Sequence, residues 1–261
     1  MRDFTLKTYR KLLSAILEAG YEFQSFQDFI TNPKERVVVL RHDVDLLPQN
    51  ALATAEMEHG LSISGSYYFR IVPVSFDERI IEKIVSLGHE IGYHYENMDH
   101  CKGDQVEAII DFGINLEYLR KFYPVNTICM HGSPRSRYDN KDIWKENNYL
   151  DFGVIGEPYF DVDYSKVFYL TDTGRQWDGF KFSIRDKITS QQKFWKSKGL
   201  IFHATKEIIS AFKTNMMPEQ IMITIHPQRW TDQLWPWIKE LFWQKAKNWI
   251  KFLILSVSKL S

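Results

Sequence analysis

The chain has 261 residues, room for one large α/β domain and a substantial core; a (β/α) barrel alone takes about 250 residues. Lys and Arg total 33 and Asp and Glu total 33, so no excess of charge points to nucleic acid or to an anionic membrane. The two cysteines, Cys101 and Cys129, are too few for a disulfide scaffold and fit a reducing compartment.

Residues 1–19 lack the apolar core and cleavage site of a secretory signal, and a cytoplasmic location is expected. Leu12, Leu13, Ile16 and Leu17 recur at helical spacing over residues 9–19, and Gly20 ends that helix. A strand is predicted over residues 37–40, followed by a helix that Pro48 opens and Gly60 closes. A strand over 66–70, an amphipathic helix over 77–87 capped by Gly88, and a strand over 90–94 come next. The helix over 104–122 ends before Pro124 and leads into a strand at 127–131. A helix near 141–147, strands at 152–155 and 199–202, an extended piece at 167–170 and a helix over 205–213 continue the alternation. The last strand is 221–226, and a closing helix or helix pair spans 234–255. Lys251 and Lys259 interrupt the apolar end of the chain, which reads as a helix packed on the body, with surface membrane association as the alternative. No linker or repeat divides the chain, so residues 1–261 form one domain in this reading, a TIM-like barrel of parallel strands that is one strand short of the usual eight.

Four of these strands end on a histidine or an aspartate, and a parallel barrel gathers strand C-termini at one mouth. Asp43 and Asp45 alternate along one face of the extended chain, where two like charges require an offsetting cation or a shared proton. A divalent metal is the simplest partner, one carboxylate binding it and the other removing a proton from water. Arg41 and His42 beside them argue against an ordinary capping turn. His94 closes a strand interrupted by Gly92, a mark of close approach, and Glu96 shares its face if the chain stays extended. His131 and His226 also end strands, and the prolines after them, Pro134 and Pro227, keep the strand ends extended. Cys129 reads as core, and His59, His89 and His100 as surface histidines.

Residues 41–45 (Arg-His-Asp-Val-Asp), 88–94 (Gly-His-Glu-Ile-Gly-Tyr-His) and 223–226 (Ile-Thr-Ile-His) resemble the first, second and last motifs of the polysaccharide deacetylases, carbohydrate esterase family four. The resemblance spans residues 37–227 and implies a distorted (β/α)₇ barrel, a divalent metal, most often zinc, and an N-acetylated carbohydrate as substrate. It implies Asp45 and His94 as metal ligands, Asp43 as catalytic base and His226 as general acid on the leaving nitrogen. Met98 stands where the family has its second ligand histidine, so His131, then Glu96 or His100, is the substitute for the third ligand. The family's base-orienting arginine motif falls at residues 131–134, where His131 is the alternative orienting group for Asp43. Asp172 and Trp177 are similar to the pair that supports the catalytic histidine. Two other outcomes stay open: a hydrolase of non-sugar cyclic amides, and a barrel without catalysis that binds carbohydrate or aids assembly. A homo-oligomer is compatible with the tryptophan-rich C-terminal region.

Overall fold

The computed structural model describes residues 2–133, 136–177 and 188–257, with side chains through residue 249; Pro134 lies outside the described residues. Its frame is a curled half-barrel of seven parallel strands: β1 (Glu22–Gln24), β2 (Val37–Val44), β3 (Ser66–Phe69), β4 (Glu90–Tyr95), β5 (Ile128–Met130), β6 (Phe168–Thr171) and β7 (Gln220–Ile225). The order across the sheet is β5-β4-β3-β2-β7-β6, and β1 adds to β2 beside residues 37–39. Ten helices alternate with them among the described residues: α1 (Leu6–Glu18), α2 (Phe26–Thr31), α3 (Pro48–His59), α4 (Glu78–Ser86), α5 (Asn97–His100), α6 (Gln105–Leu119), α7 (Pro158–Asp161), α8 (Gln192–Ser197), α9 (Thr205–Lys213) and α10 (Leu234–Val257).

β2 is the axis of the sheet, buried along its whole length and paired to neighbours on both edges. Its start, Val-Val-Val-Leu, is the continuous apolar run expected of a parallel strand covered on both faces. The extended conformation carries on through Arg41, His42 and Asp43, because β3 pairs with residues 41–44 and β7 with residues 37–42. Two apolar clusters flank it, one joining β2, β6 and β7 to α1 and α9, the other joining β3, β4 and β5 to α4 and α6. Side chains of Thr5, Ser25, Asp77 and Asp104 cap α1, α2, α4 and α6.

Two expected strands are absent. Residues 149–152 form a 3₁₀ turn, and only an isolated bridge from Gly156 to Thr127 remains of the strand predicted at 152–155. Residues 199–202 turn into α9, and Phe202 enters the core without pairing to any strand. Ile128 donates its amide to the Gly156 carbonyl at 3.0 Å, and beyond it a side chain finishes the β5 edge: Glu157 Oε1 accepts from the Met130 amide at 3.0 Å, and Oε2 accepts from the Tyr159 amide at 2.5 Å. Burial raises the Glu157 carboxyl from 4.5 to about 7. Gly92 is required by a close approach, since a Cβ there would lie 2.3 Å from the Tyr68 ring, which crosses the barrel to reach Thr127 Oγ1 at 3.0 Å.

Candidate functional site

Period-two alternation along β2 sends Arg41 and Asp43 into the barrel and His42 to the outside. Arg41 grips Asp43 with both prongs of its guanidinium, Nε to Oδ1 at 2.8 Å and Nη2 to Oδ2 at 2.6 Å, with both side chains buried. The carboxylate is thereby fixed in direction, and the orienting group is Arg41 of the same strand, not His131. His42 stands on the opposite face, outside the site. Its Nε2 meets Glu58 Oε1 at 2.8 Å, where Tyr9 also donates, Tyr67 donates to Oε2, and the imidazole stacks on the Tyr67 ring at 3.9 Å. His89 borders the same carboxylate at 3.7 Å and is buried, which corrects the surface reading of that residue. His42 is therefore a structural group between the sheet and α3.

Asp45, His94 and His131 come from the ends of β2, β4 and β5, and one ligand atom from each lies within 4.8 Å of the others. Asp45 Oδ1 is 3.2 Å from His131 Nδ1 and 3.5 Å from His94 Nε2, and the two imidazoles are 3.3 Å apart. His94 Nδ1 donates to the Cys129 carbonyl at 2.9 Å, which fixes the tautomer and leaves Nε2 with a lone pair facing Asp45. Neither imidazole has hydrogen-bond geometry to Asp45 Oδ1, so that buried oxygen has no donor. Burial raises the Asp45 carboxyl, but the facing His131 and His94, then the charge of His226, hold it well below the usual carboxylate range. Among the described residues at this mouth, Asp43 pairs with Arg41, Glu96 with Arg70 and Asp172 with Arg229, while Asp45 faces imidazoles and no arginine. An unneutralised carboxylate between two imidazole nitrogens fits a borderline divalent cation such as zinc.

The fallback ligands fall away. Arg70 holds Glu96 through both carboxylate oxygens at 2.9 and 2.7 Å, and His100 lies 3.4 Å behind it. Burial would raise Glu96, yet His100 and Arg70 bring it down to about 2, and His131 is 3.9 Å away. Met98 is buried in the apolar cluster around α5 and α6. Its position, a ligand in the resembling family, is here a core position.

Across the mouth, His226 Nδ1 donates to Asp172 Oδ1 at 2.6 Å, and Nε2 faces Asp45 Oδ2 at 3.9 Å. Asp172 also accepts from Arg229 Nη1 at 2.6 Å and Trp230 Nε1 at 2.7 Å. Burial and the Arg229 charge lower the His226 imidazole, but Asp172 outweighs them and the net shift is upward. Trp177 does not touch this pair: its Nε1 donates to Thr205 Oγ1 at 2.8 Å and its ring packs 6.0 Å from Trp230. The supporting tryptophan is Trp230. Arg229, Trp230 and Gln228, whose Nε2 donates to Asp45 Oδ2 at 3.1 Å, are site residues that sequence reasoning missed. All three follow His226 through one 3₁₀ turn, Pro227–Arg229, and their signal was proximity to that histidine.

No known family profile and no curated protein matches the chain. Among solved structures, a CE4 family pseudoenzyme from Bacillus anthracis aligns with a TM-score of 0.43 and 10% identity, covering 83% of this chain and 62% of that one. A mutant CE4 family pseudoenzyme with restored enzymatic activity aligns with a TM-score of 0.41 and 10% identity, covering 83% and 64%. The chain thus spans less than two thirds of the length of either structure.

Proposed function

We propose that the protein is a metal-dependent amide hydrolase that removes an acetyl group from an N-acetylated sugar, in the manner of the polysaccharide deacetylases. The observation that carries this reading is the convergence of Asp45, His94 and His131 within 4.8 Å, beside an arginine-clamped Asp43 and opposite a carboxylate-held His226. The sugar itself rests on the motif resemblance at residues 41–45, 88–94 and 223–226.

Asp45 Oδ1, His94 Nε2 and a His131 ring nitrogen would hold the cation. A zinc ion bound there supplies Lewis acidity toward the amide carbonyl and toward water. Asp43, fixed by Arg41, accepts the proton of the attacking water. His226, whose acid form the adjoining Asp172 favours, gives a proton to the departing nitrogen. Gln228, whose Nε2 donates to Asp45 Oδ2, has an Oε1 without a partner that offers an acceptor to a substrate hydroxyl.

Assay against a panel of acetylated amino sugars and cyclic ureas tests the substrate class, with turnover of a sugar expected. Asp45→Ala is expected to lose the bound cation, whereas Asp43→Asn keeps it and lowers kcat by about 10²- to 10⁴-fold. Full activity of Asp43→Asn on a turned-over substrate would remove Asp43 as the base.

A further inference from the structure

α10 sits on the barrel with its polar side inward. At 100° per residue, Glu240, Gln244 and Asn248 fall on one side of the helix, and Gln244 and Asn248 are buried. Asn248 Nδ2 donates to the Gly174 carbonyl at 2.8 Å, and its side chain fills the space a Cβ at Gly174 would need. Trp237 Nε1 donates to the Asp3 carbonyl at 2.7 Å beneath the Arg175 guanidinium. The opposite side is aromatic: Trp235, Trp243 and Trp249 are 77%, 53% and 67% exposed, and Phe242 lies among them. A helix docked only for stability shows the reverse arrangement. Exposed rings grouped on the outer side of one helix, with Trp243 at the edge of the group, mark an interaction surface.

Charge selects the occupant. Between residues 234 and 249 the one acid is Glu240, half-buried and accepting from Gln244 Nε2 at 2.6 Å. Lys239 and Lys245 are exposed beside the rings, and the Lys247 ammonium lies 5.1 Å over Trp243. The sequence then runs to residue 261 without an acid, with Lys251 and Lys259 among apolar residues. Indole rings with lysine stems and no carboxylate complement the headgroup layer of an anionic bilayer, where tryptophan settles and lysine reaches the phosphates. The neutral total charge of the chain does not oppose this, since salt screens distant charges beyond about 8–10 Å. No helix among the described residues is long and apolar enough to cross a membrane.

We propose that α10 docks the protein on the surface of an anionic membrane, lying in the plane with the Trp235, Phe242, Trp243 and Trp249 face toward the lipid. The full chain should pellet with vesicles of phosphatidylcholine plus phosphatidylglycerol about tenfold better than with phosphatidylcholine alone, and added salt should weaken the binding. Trp243→Ser with Trp249→Ser, and separately Lys239→Glu with Lys245→Glu, should each abolish that preference while leaving the melting curve unchanged. Tryptophan emission of the unaltered chain should shift to the blue when anionic vesicles are added. Equal recovery with both vesicle types, or no pelleting and no shift, overturns the proposal. A dimer in sedimentation velocity that the double tryptophan variant returns to monomer also overturns it, assigning the face to a second copy of the chain.

Discussion

At the scale of single residues, the site is a set of carboxylates distinguished by their partners. Asp43, Glu96 and Asp172 each have an arginine, and Asp45 has imidazoles. Much of this was legible in the sequence: Asp43, Asp45, His94, His131 and His226 meet at one mouth because strand ends converge there. The clamp on Asp43 was not read, although residues 41 and 43 share a strand face: the sequence reading offered His131 as the orienting group, and Arg41 takes that role. The choice of Trp230 over Trp177 was not legible, because a 3₁₀ turn leaves no apolar period from which to read which ring returns to the histidine. Asp172→Asn tests this part. Asp172 raises the His226 imidazole, so the acid form is full below the ordinary value of about 6.5 and is lost as pH climbs through the raised one. The variant should shift the basic limb of the rate profile to lower pH and reduce kcat. An unmoved basic limb would separate Asp172 from the acid. Met98→His should destabilise the fold by about 2–3 kcal/mol, measured by urea unfolding, because it puts an imidazole into an apolar cluster. It should leave zinc affinity unchanged, since in the proposed tripod His131 is the third ligand.

At the scale of elements, β2 delivers three functions from one strand: an apolar start for the core, an outward histidine for the α3 contact, and inward Arg41 and Asp43 for the mouth. Strong apolar patterns made β2, β3, β4 and β7 readable. The three residues of β1 are too few to show alternation, and β1 exists because β2 offers an unused edge beside residues 37–39. The runs at 152–155 and 199–202 are apolar enough for strands, but each buries one side chain only, Val154 in one and Phe202 in the other, and Ile155 is exposed. Glu157 takes over the role of a backbone partner at the β5 edge, and its cost depends on pH. Its carboxyl is neutral in the fold up to about 7 but ionises near 4.5 when exposed, so folding favours the protonated form. Stability from this group is full below about 4.5 and falls as pH rises through about 7, by on the order of 3 kcal/mol. Glu157→Gln loses the Tyr159 cap bond, yet its urea midpoint should change less between pH 5 and pH 8 than that of the unaltered chain. Equal changes in the two proteins would place the ionisation of Glu157 elsewhere.

At the scale of the whole molecule, the half-barrel has a polar mouth, two apolar flanks and, on α10, an aromatic outer face. The hydrolysis proposed at the mouth requires that the Asp45, His94 and His131 tripod hold a cation, and a bound cation would also stabilise the fold by mass action. Length and strand alternation were enough to read the barrel class, because parallel strands with crossover helices have few other solutions. The candidate third ligand was legible too: Met98 stands at the position expected from family resemblance, His131 is the first substitute read from the sequence, and the pairing of β4 with β5 brings His131 to His94. The most direct measurement is anomalous diffraction at the zinc edge from crystals grown with zinc. The account predicts one peak within coordination distance, about 2.0–2.2 Å, of Asp45, His94 and His131. A peak elsewhere, or none at that tripod, contradicts it.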